Sequence, residues 1–167
     1  GGPTASPGVF RSADSLSKKL NHFLEYLQVH YAEELPLEEA AERIGVSKYY
    51  FTRIFRRHTG QTFNDYLTSL RVRAAEDLLK NGGVSVSEIC ARCGYTSMSS
   101  FNRNFRRLKG CSPTEFRQFY QRRLDLFENR EKDDVYDFET SSGHGIIARS
   151  QSCGLSLIHI SEPTRHA

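Results

Sequence analysis

The chain repeats itself. Gly45, Phe51, Phe55, Arg56, Arg57 and Gly60 return as Gly94, Phe101, Phe105, Arg106, Arg107 and Gly110. The offset is 49 residues at the first glycine and 50 from the phenylalanine onward, so the second copy carries one extra residue in its turn. Self-similarity at this period marks two copies of one small supersecondary unit. Any fold proposed for the chain must therefore contain the same local structure twice.

Hydrophobic spacing says what that structure is. Leu16, Leu20, Phe23, Leu24, Leu27 and Tyr31 form one apolar stripe at the helical period, which predicts a first helix from about Leu16. Pro36 pre-sets the start of a second helix ending near Ile44. Ser47 is placed to cap a third over residues 48–59, and Gly60 to end it. Thr62 can cap a long helix over residues 63–80, with Tyr66, Leu67, Leu70, Ala74, Leu78 and Leu79 on its apolar face. At ~1.5 Å per residue it is roughly 27 Å long. The Asn81-Gly82-Gly83 run stops it.

The second unit opens at Ser85 with Glu88, the spacing of a capping box, in which hydroxyl and carboxylate each satisfy a free backbone donor. A turn at residues 94–97 precedes a helix over 98–109, and Ser112 with Glu115 makes a second capping box around Pro113. No segment alternates as a strand does. The expected fold is all-α: two helix-turn-helix subdomains joined by a long linker helix, about seven helices in total.

The expected boundaries are a linker or cut end over 1–15 and a body over 16–128, divided into 16–62, the linker helix 63–80 and 84–128. An acidic, disordered tail is expected over 129–154. Residues 155–167 read as non-native: the run Leu-Ser-Leu-Ile-His-Ile-Ser-Glu-Pro-Thr-Arg resembles a translated sequencing adapter, so Cys153, His159 and His166 receive no role. The only methionine is Met98, and the chain is read as a fragment of a longer protein.

Each unit carries the small, glycine and apolar positions that hold two helices at an angle. Ala41 permits close crossing, Gly45 supplies a positive φ for the turn, and Phe51, Ile54 and Phe55 face inward. Cys90, Gly94, Phe101 and Phe105 repeat the plan.

Charge then separates by helix. Residues 46–58 hold Lys48, Arg53, Arg56 and Arg57 and no acid. Residues 95–109 hold Arg103, Arg106, Arg107 and Lys109 and no acid. The helix before the first of these is acidic, with Glu38, Glu39 and Glu42. Residues 16–123 contain eighteen Lys and Arg against eleven Asp and Glu, whereas residues 124–167 contain four against eight. A basic body with duplicated one-signed helices suits a polyanion.

These residues carry a family resemblance over residues 20–120. The marks are Val46-Ser47 with Phe51 and Phe55; Leu70-Arg71 with Ala75, Leu78 and Leu79; Gly94-Tyr95 with Ser97, Phe101, Arg103 and Phe105; and Gly110 with Ser112-Pro113 and Phe116-Arg117. The chain resembles the DNA-binding domain of AraC/XylS-type transcription regulators. The resemblance implies a bacterial-type regulator, expected to be an activator, whose two recognition helices, residues 48–59 and 98–109, read adjacent major-groove segments of an asymmetric operator. It further implies double-stranded DNA and RNA polymerase as partners, a small-molecule effector acting only through a domain outside this chain, and a cytoplasmic, nucleoid-associated location.

In the first recognition helix Tyr49, Thr52 and Arg53 lie at i, i+3 and i+4, opposite Phe51 and Phe55. Met98, Ser99, Asn102 and Arg103 occupy the matching surface of the second. These match positions the family uses for base contacts. Arginine can grip guanine O6 and N7, asparagine can pair with adenine N6 and N7, and Met98 and Tyr49 can meet thymine methyls. Lys48, Arg56, Arg57, Arg106, Arg107 and Lys109 are assigned to phosphates, which position without specifying sequence. Ser47 and the helix starts at Thr62 and Ser112 are either phosphate donors or plain caps.

Other chemistry is set aside. Cys90 and Cys93 have the CxxC spacing, but only Cys111 follows nearby, with no paired fourth ligand, so core packing is expected. His22, His30 and His58 stand apart from catalytic clusters, and no serine has an activating context. No enzymatic activity, cofactor or metal is expected, and no apolar run reaches membrane-spanning length. The competing reading is a helical adaptor that binds RNA polymerase or another regulator without touching DNA.

Overall fold

The computed structural model describes residues 7–133, with side chains described for residues 14–132. Seven helices account for them: α1 Pro7–His30, α2 Leu37–Ile44, α3 Lys48–Thr59, α4 Phe63–Lys80, α5 Val86–Arg92, α6 Met98–Lys109 and α7 Pro113–Asp133. No strand occurs among the described residues. Of the linker expected over residues 1–15, residues 1–6 lie outside the described residues, as do residues 134–167 of the tails expected from residue 129.

Two helix limits differ from the expectation. α1 begins at Pro7, nine residues before Leu16. α7 runs to Asp133, past the boundary expected at residue 128. Periodicity detects the face a helix buries, and both extensions lie beyond the core. Pro7 suits a first helical turn because its missing N–H has no partner there anyway. Leading up to its extension, α7 carries local contacts: a 3.3 Å hydrogen bond from Gln121 to Asp125, and Arg123 over the Phe127 ring at 5.7 Å.

The chain divides into two compact units between Arg71 and Val72. The division falls inside α4, the long helix expected over residues 63–80 to join the two subdomains. Its first half supplies Leu67 and Leu70 to the first core, and its second half supplies Val72, Ala75 and Leu79 to the second.

The first core joins Leu20, Phe23 and Leu27 of α1, Ala40, Ala41 and Ile44 of α2, and Phe51, Ile54 and Phe55 of α3. Phe51 meets Phe23 edge-on at 5.8 Å and Phe63 at 5.5 Å. Phe55 meets Tyr66 at 5.5 Å and 83°. The second core packs Ile89, Cys90, Cys93, Tyr95, Phe101, Phe105, Cys111 and Phe116 on Val72, Ala75 and Leu79. There Phe105 meets Phe116 at 5.6 Å and 79°, the same pair as Phe55 and Tyr66 moved by the repeat offset. Cys90 of α5 and Cys93, just past its end, are buried core residues, as expected. Burial pushes the Cys90 thiol above its ordinary value.

The turns repeat to the hydrogen bond. Gly45 has φ 75° and Gly94 φ 89°. Gly45 N–H donates to Glu42 O at 3.0 Å and Val46 N–H to Ala41 O at 3.1 Å. Gly94 donates to Ala91 O and Tyr95 to Cys90 O, both at 3.1 Å. This pair of bonds around a left-handed glycine, directly after α2 at Gly45 and one residue further on, past Cys93, at Gly94, is the Schellman motif that satisfies the last carbonyls. A Cβ at Gly45 would meet nothing within 4 Å, so only the backbone resists it. Gly45→Ala should therefore cost about 1–2 kcal/mol, the penalty of a left-handed L-residue, read as a lower urea midpoint at unchanged slope.

Candidate nucleic-acid interface

A cap, a buried face and an exposed face define each recognition helix. In α3, Ser47 has extended backbone, and its hydroxyl accepts from Tyr50 N–H at 3.2 Å. In α6, Ser97 plays the same part for Ser100 N–H at 3.3 Å. Phe51 and Phe55, like Phe101 and Phe105, are fully buried. Because 3.6 residues make a turn, that burial leaves Tyr49, Thr52, Arg53 and Arg56 on the outer side of α3. Ser99, Asn102, Arg103 and Arg106 hold the same places on α6. All eight are exposed.

The outer residues differ in how they are held. Tyr49 is 74% exposed, and the Arg53 guanidinium lies 5.9 Å from its ring centroid. Thr52 donates its hydroxyl to Lys48 O at 3.0 Å, which turns its proton back into the helix. Arg103 donates to Ser100 Oγ at 3.4 Å, a long contact that leaves most of its fork available. Met98 is 40% exposed at the first position of α6, where α3 has Lys48. Tyr50 was not among the expected site residues, yet it lines a concave surface on α3 with Thr52, Arg53, Arg56 and Arg57. Its counterpart Ser100 is chemically unlike it, so the repeat gave no signal there.

The expected phosphate residues do not form one class. Arg56 and Arg57 are exposed and make no ion pair with a described residue. Arg107 is exposed. Lys48 donates to Glu38 of α2 at 2.6 Å, and this hydrogen bond holds the Glu38 carboxyl below the usual carboxylate range. Arg106 donates to Glu115 of α7 at 3.1 Å. Lys109 is half-buried and ion-paired to Glu76 of α4, which Lys80 also approaches at 3.5 Å. Of the six, Lys109 is the least available to a partner. These acids were not expected in the site because they lie on other helices, where one-dimensional charge runs do not show the pairing.

The helix starts are caps. Thr62 Oγ1 accepts from Asp65 N–H at 3.1 Å, and Ser112 Oγ from Glu115 N–H at 3.1 Å. The Ser112 box closes reciprocally, with Ser112 N–H donating to Glu115 at 3.4 Å. Hydrogen bonds from Ser112, with Arg106 adding to them, keep the Glu115 carboxyl below its usual range. At Ser85 only half of the box forms: the hydroxyl accepts from Glu88 N–H, while the Glu88 carboxylate takes Arg92 at 2.6 Å. An arginine four residues on competes with the backbone donor and wins through its charge.

Arg71 has a role that its place in the sequence pattern did not explain. Its guanidinium donates to Tyr31 O at 2.7 Å and to Glu33 O at 3.0 Å. It thereby binds carbonyls at and beyond the end of α1, which that helix cannot satisfy itself. His58 meets Asn21 at 2.8 Å, and His30 meets Glu33 at 2.7 Å. The His30 contact lowers the Glu33 carboxyl. Among the described residues no three His, Cys, Asp or Glu side chains gather as metal ligands, and no helix is long and apolar enough to cross a membrane.

Known proteins share this arrangement. A family model described as a helix-turn-helix domain matches residues 40–118. The HTH-type transcriptional activator RhaS of Salmonella schwarzengrund (strain CVM19633) is 36% identical over 110 residues, which is 66% of this chain and 40% of that protein. The chain thus spans about 40% of the length of the curated relatives it matches. The DNA-binding domain of the global transcriptional factor AdpA, solved in complex with a target DNA, superposes with a TM-score of 0.61 at 33% identity. That likeness covers 63% of this chain and 95% of the AdpA domain. A regulator from Chromobacterium violaceum, described as AraC-type DNA-binding domain-containing, gives 0.56 at 26% identity over 62% of this chain and 92% of its own.

Proposed function

Since the chain belongs to the AraC/XylS-type family through its double helix-turn-helix domain, we infer that it binds double-stranded DNA sequence-specifically and regulates transcription. One observation carries the reading furthest. Both units expose the same helical face at the repeat offset, without an acidic residue on either recognition helix, and with different side chains at the base-reading positions. A solvated surface has no need to place its cations twice on a capped helix of this geometry.

In this reading α3 and α6 each enter a major groove. Arg53 and Arg103 supply bidentate donors for guanine, and Asn102 suits adenine. Tyr49, Thr52, Met98 and Ser99 fill the remaining contacts, with Tyr49 and Met98 suited to thymine methyls. Arg56, Arg57 and Arg107 fix register on phosphates, while Lys48 and Arg106, held by Glu38 and Glu115, contribute less. Lys109 is held by Glu76 and contributes least. Tyr49, Thr52 and Arg53 differ from Ser99, Asn102 and Arg103 in two of three places, so one chain reads two unlike half-sites and its operator is asymmetric. The same reading gives the protein a non-enzymatic role at the nucleoid, in the cytoplasm, with RNA polymerase as a partner and effector control through a domain outside this chain.

Gel-shift titration at two salt concentrations tests this. Sequence-selective binding that weakens steeply with salt is expected. Arg57→Ala should weaken binding to all duplexes about equally and reduce the salt slope by about one. Salt-insensitive binding to RNA polymerase, without any duplex shift, would establish the adaptor instead.

A further inference from the structure

The repeat places Arg56 and Arg106 at equivalent positions, one turn beyond the base-reading arginines, yet their surroundings are opposite. Arg56 is exposed and paired with no acid among the described residues. Arg106 donates to Glu115, whose carboxylate is also bound by the backbone N–H of Ser112. The counterpart of Glu115 in the first unit is Asp65, one methylene shorter. A second difference lies at the end of the helix. Lys109 is ion-paired to Glu76, whereas its counterpart, Thr59, is uncharged and donates its hydroxyl to Phe55 O at 2.8 Å.

An arginine that brings its own carboxylate presents no net charge to a phosphate. It releases little of the counterion atmosphere whose release drives backbone binding. Taking Arg106 away from Glu115 would leave a carboxylate facing the DNA backbone, so the pair resists exchange. Glu115 is also an N-capping residue of α7, which keeps it in place whether or not Arg106 leaves.

On the DNA-binding reading above, we propose that the two units divide the work unequally: the first attracts the phosphate backbone through Arg56 and Arg57, and the second, with Arg106 neutralised by Glu115, has the weaker backbone affinity and relies more on its base contacts. Glu115 is then a specificity-determining residue that touches no base. By suppressing indiscriminate attraction in the second unit, it lets that unit engage only where its base contacts fit.

The test compares Arg56→Ala, Arg106→Ala and Glu115→Gln on a duplex selected from a random library and on a duplex of unrelated sequence. Glutamine preserves the capping acceptor, so Glu115→Gln removes the charge without removing the cap. Arg56→Ala should lower the salt slope by about 0.9, shrinking the affinity lost between roughly 50 and 200 mM salt by about 3.5-fold. Arg106→Ala should lower it by less than half as much. Glu115→Gln should steepen it by about 0.9 and tighten binding to the unrelated duplex more than to the selected one. Equal slope changes for the two arginine variants, with Glu115→Gln unchanged, would overturn the proposal. Elution from heparin, a polyanion without base edges, reads available charge independently of DNA. If heparin ranks the variants as expected but no duplex binds, only the DNA reading falls. If duplexes bind and the ranking fails, only the division of work falls.

Discussion

Phe51→Ala is expected to lower the stability of the first unit by about 3–5 kcal/mol, as a midpoint shift in urea denaturation followed by circular dichroism. Phe51 is fully buried and contacts three other rings: Phe23 at 5.8 Å, Phe55 at 5.4 Å and Phe63 at 5.5 Å. Those rings come from α1, α3 and the start of α4, so no single element can move to fill the space. Such a loss is a large part of the ~5–15 kcal/mol that holds a typical domain together. Phe101→Ala should act on the second unit in the same way, through Tyr95 at 5.3 Å and Phe105 at 6.0 Å. Tyr49→Ala, two positions from Phe51 but 74% exposed, should stay within about 0.5 kcal/mol and serves as the control. A Phe51→Ala loss no larger than that control would show that the aromatic cluster does not hold the unit together.

The second large effect concerns recognition. Arg103→Ala should cost about 1–3 kcal/mol of binding to the preferred site, roughly 5- to 150-fold in affinity, and relax selectivity at one base pair. Arg103 is exposed on α6, and its only described polar contact is the 3.4 Å bond to Ser100, so little holds it back from a guanine edge. Its loss should appear in binding over a randomised site library as one position that no longer prefers its base. Arg57→Ala should instead weaken every sequence about equally, because a phosphate carries no base identity. If Arg103→Ala leaves the preferred motif unchanged, Arg103 does not read bases.

Most of the helical scaffold was legible in the chain before any coordinates. Ser47, Thr62 and Ser112 announced helix starts because short polar side chains reach a backbone N–H three residues on, a geometry that needs no tertiary partner. Gly45 and Gly94 announced the turns because a left-handed residue after a helix suits glycine. The exposed faces of α3 and α6 followed from the phenylalanines: burying Phe51 and Phe55 sends Tyr49, Thr52 and Arg53 outward by helical geometry alone. The ends of α1 and α7 were less legible, since a helix beyond its core shows no apolar period. The Ser85 box was half legible, since Arg92 takes the carboxylate that would have closed it.

Thus the chain itself determined the repeat, the turns, the caps and the directions in which the candidate reading residues point. The turns, the caps and those directions depend on neighbours within about five positions, whose distances a helix sets. The tertiary structure decided which cations remain open to a partner. Lys48 meets Glu38, Arg106 meets Glu115 and Lys109 meets Glu76 only because folding brings separate helices together. It also gave Arg71 its task of binding the carbonyls of Tyr31 and Glu33, some 40 residues earlier in the chain. Electrostatic attraction depends on distance in space, which the order of residues leaves open until the cores of Phe51 and Phe101 close.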